Sequence, residues 1–149
     1  MLLTRQNVET NPGPTLQSIK PNLTLRTYNC NGLGDINKFR RVLTKLRREV
    51  QLGGIALLQE THIMDENLIK MYWNMNFISS CVSTNRGGVI TLYDNTFECL
   101  DSFIDDEGRV AMVVIENDRL KTGVTISTPR TNSDLRNSEI QIISELLLF

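Results

Sequence analysis

Histidine is almost missing from this chain: His62 is the only one in 149 residues, and thiols are limited to Cys30, Cys81 and Cys99. An odd, widely spaced set with no Cys-x-x-Cys pair and a single imidazole to join it argues against a zinc site or a disulfide scaffold, and suits a reducing compartment. No apolar run approaches the ~18 residues that a membrane span needs. The N-terminus lacks a basic region followed by an apolar core and a small-residue cleavage site, so a secretory signal is not expected and cytoplasmic or nuclear residence is the default. Charge of one sign is not in excess either: the formal net charge is -1, so any nucleic-acid surface has to be local rather than a property of the whole chain. Internal repeats and low-complexity tracts are absent.

What is there suits one globular domain, or part of a larger one. Hydrophobic residues make up 40% and charged residues 22%, which argues against a disordered chain, and the length falls in the usual range of ~100–200 residues per domain. Three of the four prolines, Pro12, Pro14 and Pro21, lie in residues 1–22. That stretch, with its Asn-Pro-Gly-Pro breaker, reads as a flexible leader, and the domain is expected over 23–149.

Within the domain, Leu23–Asn29 alternates apolar and polar side chains and predicts a first strand. Glycines in Cys30–Gly34 allow a sharp turn. From Ile36 to Val50 the apolar residues Ile36, Phe39, Val42, Leu43, Leu46 and Val50 fall on one helical stripe, with Lys38, Arg40, Arg41, Lys45, Arg47 and Arg48 between them. Such a face can track a phosphate backbone, although an ordinary solvated face is the simpler reading. A second, buried strand follows at Ile55–Leu58, and the β-α-β order implies a parallel pair. A short helix is expected within Met64–Trp73. Strand-length segments then follow at Asn76–Val82, Gly88–Tyr93, Glu98–Phe103, Arg109–Glu116 and Lys121–Ser127, which suggest an antiparallel meander. Asp134–Phe149 reads as a closing helix, with Thr131 and Asp134 at capping-box spacing.

The second strand stops abruptly at Gln59-Glu60-Thr61-His62. A carboxylate at the carboxyl end of a buried strand can hold a divalent cation against a phosphate, because crevices form there in open α/β sheets. The alternative for Glu60 is a polar residue marking the strand's exit into solvent.

Two resemblances give these segments a family context. Asn7-Val8-Glu9-Thr10-Asn11-Pro12-Gly13-Pro14 resembles the viral 2A-type ribosome-skipping peptide, with Asn7 where that family has Asp. The resemblance implies chain release after Gly13, since proline is a poor nucleophile and the turn before it is strained; a plain flexible leader is the alternative. "YNCNGL" on the first strand, the basic helix, "LLQETH" ending the second strand and "NRGGVITLY" together resemble the endonuclease/exonuclease/phosphatase superfamily. Within it the sequence is most similar to the abasic-site-type endonuclease domain of non-LTR (LINE-type) retrotransposons. The likeness covers about Leu23 to Leu147.

The resemblance implies an α/β fold, a partial four-layer α/β sandwich of the DNase I-like kind with only its N-terminal portion present. It implies Mg²⁺-dependent nicking of DNA, with a reverse transcriptase domain expected downstream in a full-length element. Residue by residue, Asn29 matches the asparagine that orients the site near the scissile phosphate, Glu60 the glutamate that binds Mg²⁺, and Asn31 a position in the outer metal shell. A turn-forming asparagine is the plain alternative for Asn29. Ser127 stands where the family has a catalytic tyrosine, and the family's Asp-x-Asn and Ser-Asp-His segments have no counterpart before Phe149. His62 is expected to be a local hydrogen-bonding or packing residue. The chain is therefore expected to be inactive by itself, a phosphodiesterase portion or a catalytically dead retrotransposon remnant. A phosphatase or deadenylase of the same fold is disfavoured by the leader and by "QETH". Strands completing the second layer are expected beyond Phe149, and the apolar run Leu146–Phe149 adds to an expected uncovered surface prone to self-association.

Overall fold

A computed structural model describes residues 23–128 and the strand Ile140–Leu146; the leader lies outside the described residues. The chain opens with β1 (Thr24–Asn29), α1 (Ile36–Val50), β2 (Gly54–Gln59) and α2 (Glu66–Tyr72). It continues through β3 (Asn76–Ser80), β4 (Val89–Tyr93), β5 (Glu98–Ile104), β6 (Val110–Glu116), β7 (Leu120–Ser127) and β8 (Ile140–Leu146). Two four-stranded sheets result, ordered β1-β2-β4-β3 and β5-β6-β7-β8, and the architecture among the described residues is mixed α/β with two helices.

α1 begins where Asp35 accepts hydrogen bonds from the backbone of Asn37 and Lys38, at 2.8 and 3.4 Å, which satisfies otherwise orphaned donors of the first turn. Its apolar stripe buries Phe39, Leu43, Leu46 and Val50, while Ile36 at the helix start stays on the surface. Arg47 Nη2 donates to the carbonyl of Tyr72 at 2.6 Å, and the Phe39 and Tyr72 rings meet edge to face at 6.0 Å, so α1 and the end of α2 form one layer.

That layer covers one face of the first sheet. Every residue of β2 is buried, and the reason is two-sided packing, which removes the usual alternation of polar and apolar side chains. Ala56 and Leu58 pack toward the helices with Ile90 and Leu92, whereas Ile55, Leu57, Val89 and Tyr93 meet Ala111, Val113, Ile115, Val124 and Ile126 of the second sheet. β1 and β2 run parallel, as the β-α-β order implies.

Two expectations change. The segments from Asn76 onward do not form a single meander: β3 and β4 pair with each other and join β2, and the chain then crosses to the second sheet at β5. The residues Ile140–Leu146, expected in a helix, are an antiparallel strand paired with β7 over Leu120–Ile126. Three β-branched isoleucines in Ile140-Gln141-Ile142-Ile143 and an available edge on β7 outweigh a helical reading of the same apolar residues. With it the second sheet has four strands among the described residues. On β5, Leu100, Phe103 and Ile104 are 43–54% exposed, while Leu147–Phe149 of the apolar terminal run lie outside the described residues. A register shift between Cys99 and Asp101 interrupts this edge strand, and such bulges limit pairing with other chains. Among the described residues no helix is long and apolar enough to cross a membrane.

The β5–β6 turn is closed by Asp105, whose Oδ1 accepts from the backbone of Arg109 and Val110, both at 2.8 Å, and from Ser80 Oγ of β3 at 3.2 Å. Burial acts to raise its pKa, but these donors outweigh it and hold the carboxyl below its ordinary value. A depressed folded pKa contributes stability that is present above the ordinary carboxylate range near ~4 and is lost as pH falls through the folded value. Asp105→Asn is therefore expected to lower the urea midpoint at pH 7, with the gap from the parent closing in acid. A gap of constant size from neutral to strongly acidic pH would refute this.

Candidate metal centre

Four loops meet at the carboxyl ends of β1 and β2. The loop after β1 is stitched to the end of β2 by three backbone hydrogen bonds: Cys30 to Gln59 at 2.8 Å, Gly32 to Glu60 at 2.7 Å and Leu33 to Thr61 at 2.9 Å. On the other side, Thr61 and His62 donate to the carbonyls of Gly88 and Gly87 at 3.2 and 3.1 Å, and Gly88 donates to Gly108 of the β5–β6 turn at 3.1 Å. Glu60 is thus held from both sides.

The backbone here is unusual. Asn31, Glu60 and His62 are the non-glycine residues with positive φ among those described, at 46°, 52° and 58°. For an L-residue this conformation costs roughly 1–2 kcal/mol, and it persists only where neighbours over-determine it. Asn tolerates it most readily, because its short side chain bonds locally. Turning Glu60 out of the strand ladder brings its Oε2 to 3.0 Å from the Gly87 N–H and 3.2 Å from Nε2 of His62. A carboxylate oxygen accepts, so Nε2 of His62 carries the hydrogen in this pair. Among the described residues Oε1 accepts no hydrogen bond, and the Glu60 side chain is 24% exposed. One oxygen is oriented and the other remains available.

The three residues singled out from the sequence come together at this end. Asn29 pairs in register with Gln59, one residue from Glu60, and Asn31 lies in the loop bonded to the Glu60 carbonyl. Asn29 Oδ1 accepts from the Asn31 N–H at 3.1 Å, a turn-forming role that leaves its Nδ2 donors on an exposed residue. His62 is a local hydrogen-bonding residue, as expected. Ser127 arrives at the same end, where its carbonyl accepts from Gln59 Nε2 at 2.8 Å across the two sheets.

Two contributors escape a reading of the sequence. Lys38 Nζ reaches back from α1 to the carbonyls of Cys30 at 2.6 Å and Gly32 at 2.8 Å, fixing the Asn31 loop and placing a cation beneath it. In the sequence it is one basic residue among six. Gly87 supplies the N–H that orients Glu60, and only the motif Asn85-Arg86-Gly87-Gly88 hints at a special turn. The thiols are poor nucleophiles here: burial pushes Cys30 up to about 11 against the pull of Lys38, and burial together with Glu60 raises Cys81. A cavity of about 370 Å³, lined by Leu23, Leu52, Asp94, Phe97 and Arg119 among others, lies at the opposite ends of β1 and β2 and shares no residue with this constellation.

The donor set suits Mg²⁺ better than softer metals. A single carboxylate, oriented and partly exposed, fits an ion that keeps several waters and takes one or two protein carboxylates together with phosphate oxygens. Among the described residues no three His, Cys, Asp or Glu side chains converge as a ligand cluster. No protein-family model matches the chain, and no curated protein matches it.

Proposed function

We propose that the ends of β1 and β2 bind Mg²⁺ and a DNA phosphodiester, as the N-terminal part of a DNase I-like endonuclease domain of the retrotransposon type. The observation that carries this reading is Glu60, held at φ 52° with one carboxylate oxygen on the Gly87 N–H and the other uncommitted. Glu60 would hold the metal directly, and Asn31 lies where an outer-shell water can be met. Asn29 offers Nδ2 donors to a phosphate oxygen, and Lys38 adds positive charge beneath the same loop. When bound, Mg²⁺ supplies neutralisation of the charge that builds on phosphorus and the leaving oxygen.

A second reading, a catalytically silent remnant, draws support from Ser127, whose side chain has no phenol to offer where the family has a tyrosine. Groups that activate water or stabilise the transition state are each worth roughly 10²–10⁴ in rate. Nicking of supercoiled plasmid by this chain alone is therefore expected to be undetectable, while metal binding persists. At about 10 mM Mg²⁺ the melting temperature should rise, because a ligand that binds only the folded state stabilises it. Glu60→Gln should remove that rise, and an equal rise in both proteins would sink the metal assignment. Robust plasmid nicking that disappears in Glu60→Gln would instead discard the silent remnant.

A further inference from the structure

The outward face of α1 concentrates charge that the rest of the fold does not use. α1 carries six of the chain's 16 basic residues and one acid, leaving ten cations against sixteen acids elsewhere. The single acid, Glu49, is already engaged: its Oε2 accepts from the Tyr28 hydroxyl at 3.0 Å and lies 3.7 Å from Arg26 Nε. Lys38 and Arg47 are spent on backbone carbonyls. Arg40, Arg41, Lys45 and Arg48 remain on the helix surface, and among the described residues none of them has a carboxylate within ion-pair distance.

Their placement is specific. At 100° per residue, Arg41 and Arg48 lie opposite the buried stripe of Phe39, Leu43, Leu46 and Val50, two helical turns or roughly 10 Å apart. Lys45 and Arg40 flank them, and each is braced by a ring: Lys45 Nζ lies 5.2 Å from the Tyr28 centroid and the Arg40 guanidinium 5.7 Å from that of Tyr72. Bracing lowers the cost of ordering a long side chain on binding. Like charges at i, i+4 repel, as Arg41 and Lys45 do here, so the helix retains a repulsion that an external anion relieves.

We infer that this face docks the sugar-phosphate backbone of a nucleic acid, without reading base sequence, as a surface separate from the Glu60 site. A regular polyanion is the occupant that matches a row of cations on a chain that is otherwise net negative. The same charge segregation turns the polyanion away from the remaining surface and toward α1. Base readout is not expected, because the row offers point charges and few groups for base edges.

The test uses the full chain in EDTA, so that the metal site plays no part, with fluorescence anisotropy of a labelled duplex of about 20 base pairs. Affinity should fall steeply with salt. The triple variant Arg41→Gln/Lys45→Gln/Arg48→Gln should bind at least about ten-fold more weakly at low salt, with a log–log salt slope smaller by about 2–3, or ~0.9 for each phosphate that is no longer neutralised. The triple variant Lys70→Gln/Arg119→Gln/Lys121→Gln, which removes the same charge elsewhere, should keep the parental affinity and slope. Circular dichroism and melting temperature establish that both variants fold. Absence of duplex binding by the parent, equal losses in the two triple variants, an unchanged slope in the first, or displacement of the duplex by phosphatidylserine vesicles would each overturn the inference. Failure of the Mg²⁺-dependent stabilisation would leave it standing, since no step of this measurement involves the metal.

Discussion

Gly88→Ala is expected to destabilise the protein by about 2–4 kcal/mol, in the upper part of the range for single substitutions, and to release Glu60 from its geometry. Gly88 has φ 88°, a conformation an L-side chain adopts only under strain, and a Cβ there would lie 2.5 Å from Thr61 Oγ1, 2.9 Å from Cys81 Sγ and 3.0 Å from the His62 nitrogen. Thr61 is fully buried, and its own N–H donates to the Gly88 carbonyl, so neither can retreat without opening the junction that holds Glu60. Gly34→Ala is the matched control: nothing lies within 4 Å of a Cβ there. Urea unfolding of both variants decides the matter. A Gly88→Ala protein that unfolds with the parental midpoint would mean that the junction is looser than its hydrogen bonds imply.

Phe39→Ala is expected to cost about 3–5 kcal/mol, the range for removing a buried aromatic ring and leaving a cavity. The side chain is fully buried between α1 and the first sheet and meets the Tyr72 ring edge to face. Ile36→Ala, on the same stripe but 39% exposed, should cost less than about 1 kcal/mol. Because small domains are stable by only about 5–15 kcal/mol, the first variant should show a much lower melting temperature and the second a small shift. Similar losses in the two would mean that the stripe does not seat α1 as described.

Most of the strand and helix order is readable from the residues because periodicity and punctuation agree. Ile36–Val50 carries a clean helical stripe behind an Asp cap, and Ile55–Leu58 is an apolar run short enough to be a strand, so both α1 and β2 fall where the residues place them. The closing segment misleads because Ile142, Ile143, Leu146 and Leu147 satisfy a helical spacing and a strand almost equally, and the free edge of β7, which periodicity does not reveal, joins the β-branched isoleucines in deciding for the strand. The division of the later strands between two sheets is also invisible locally, since Asp94–Phe97 reads as a turn whether the next strand pairs with its predecessor or leaves for another layer. At the site, Glu60 stands out in the sequence as a carboxylate on a buried strand. Its orientation does not, because it depends on Gly87 and His62 meeting it through left-handed backbone that the sequence does not announce.

The crossing from β4 to β5 also sets an order of events during synthesis. All strands of the first sheet lie between Thr24 and Tyr93, whereas its inner face of Ile55, Leu57 and Val89 is covered by β6 and β7, which end at Ser127. At roughly 5–20 residues per second, the 34 residues from Tyr93 to Ser127 take about 2–7 s to be translated. For that interval the helix-covered side of the sheet can close while its other side stays wet and sticky, a surface open to chaperones or to a neighbouring nascent chain.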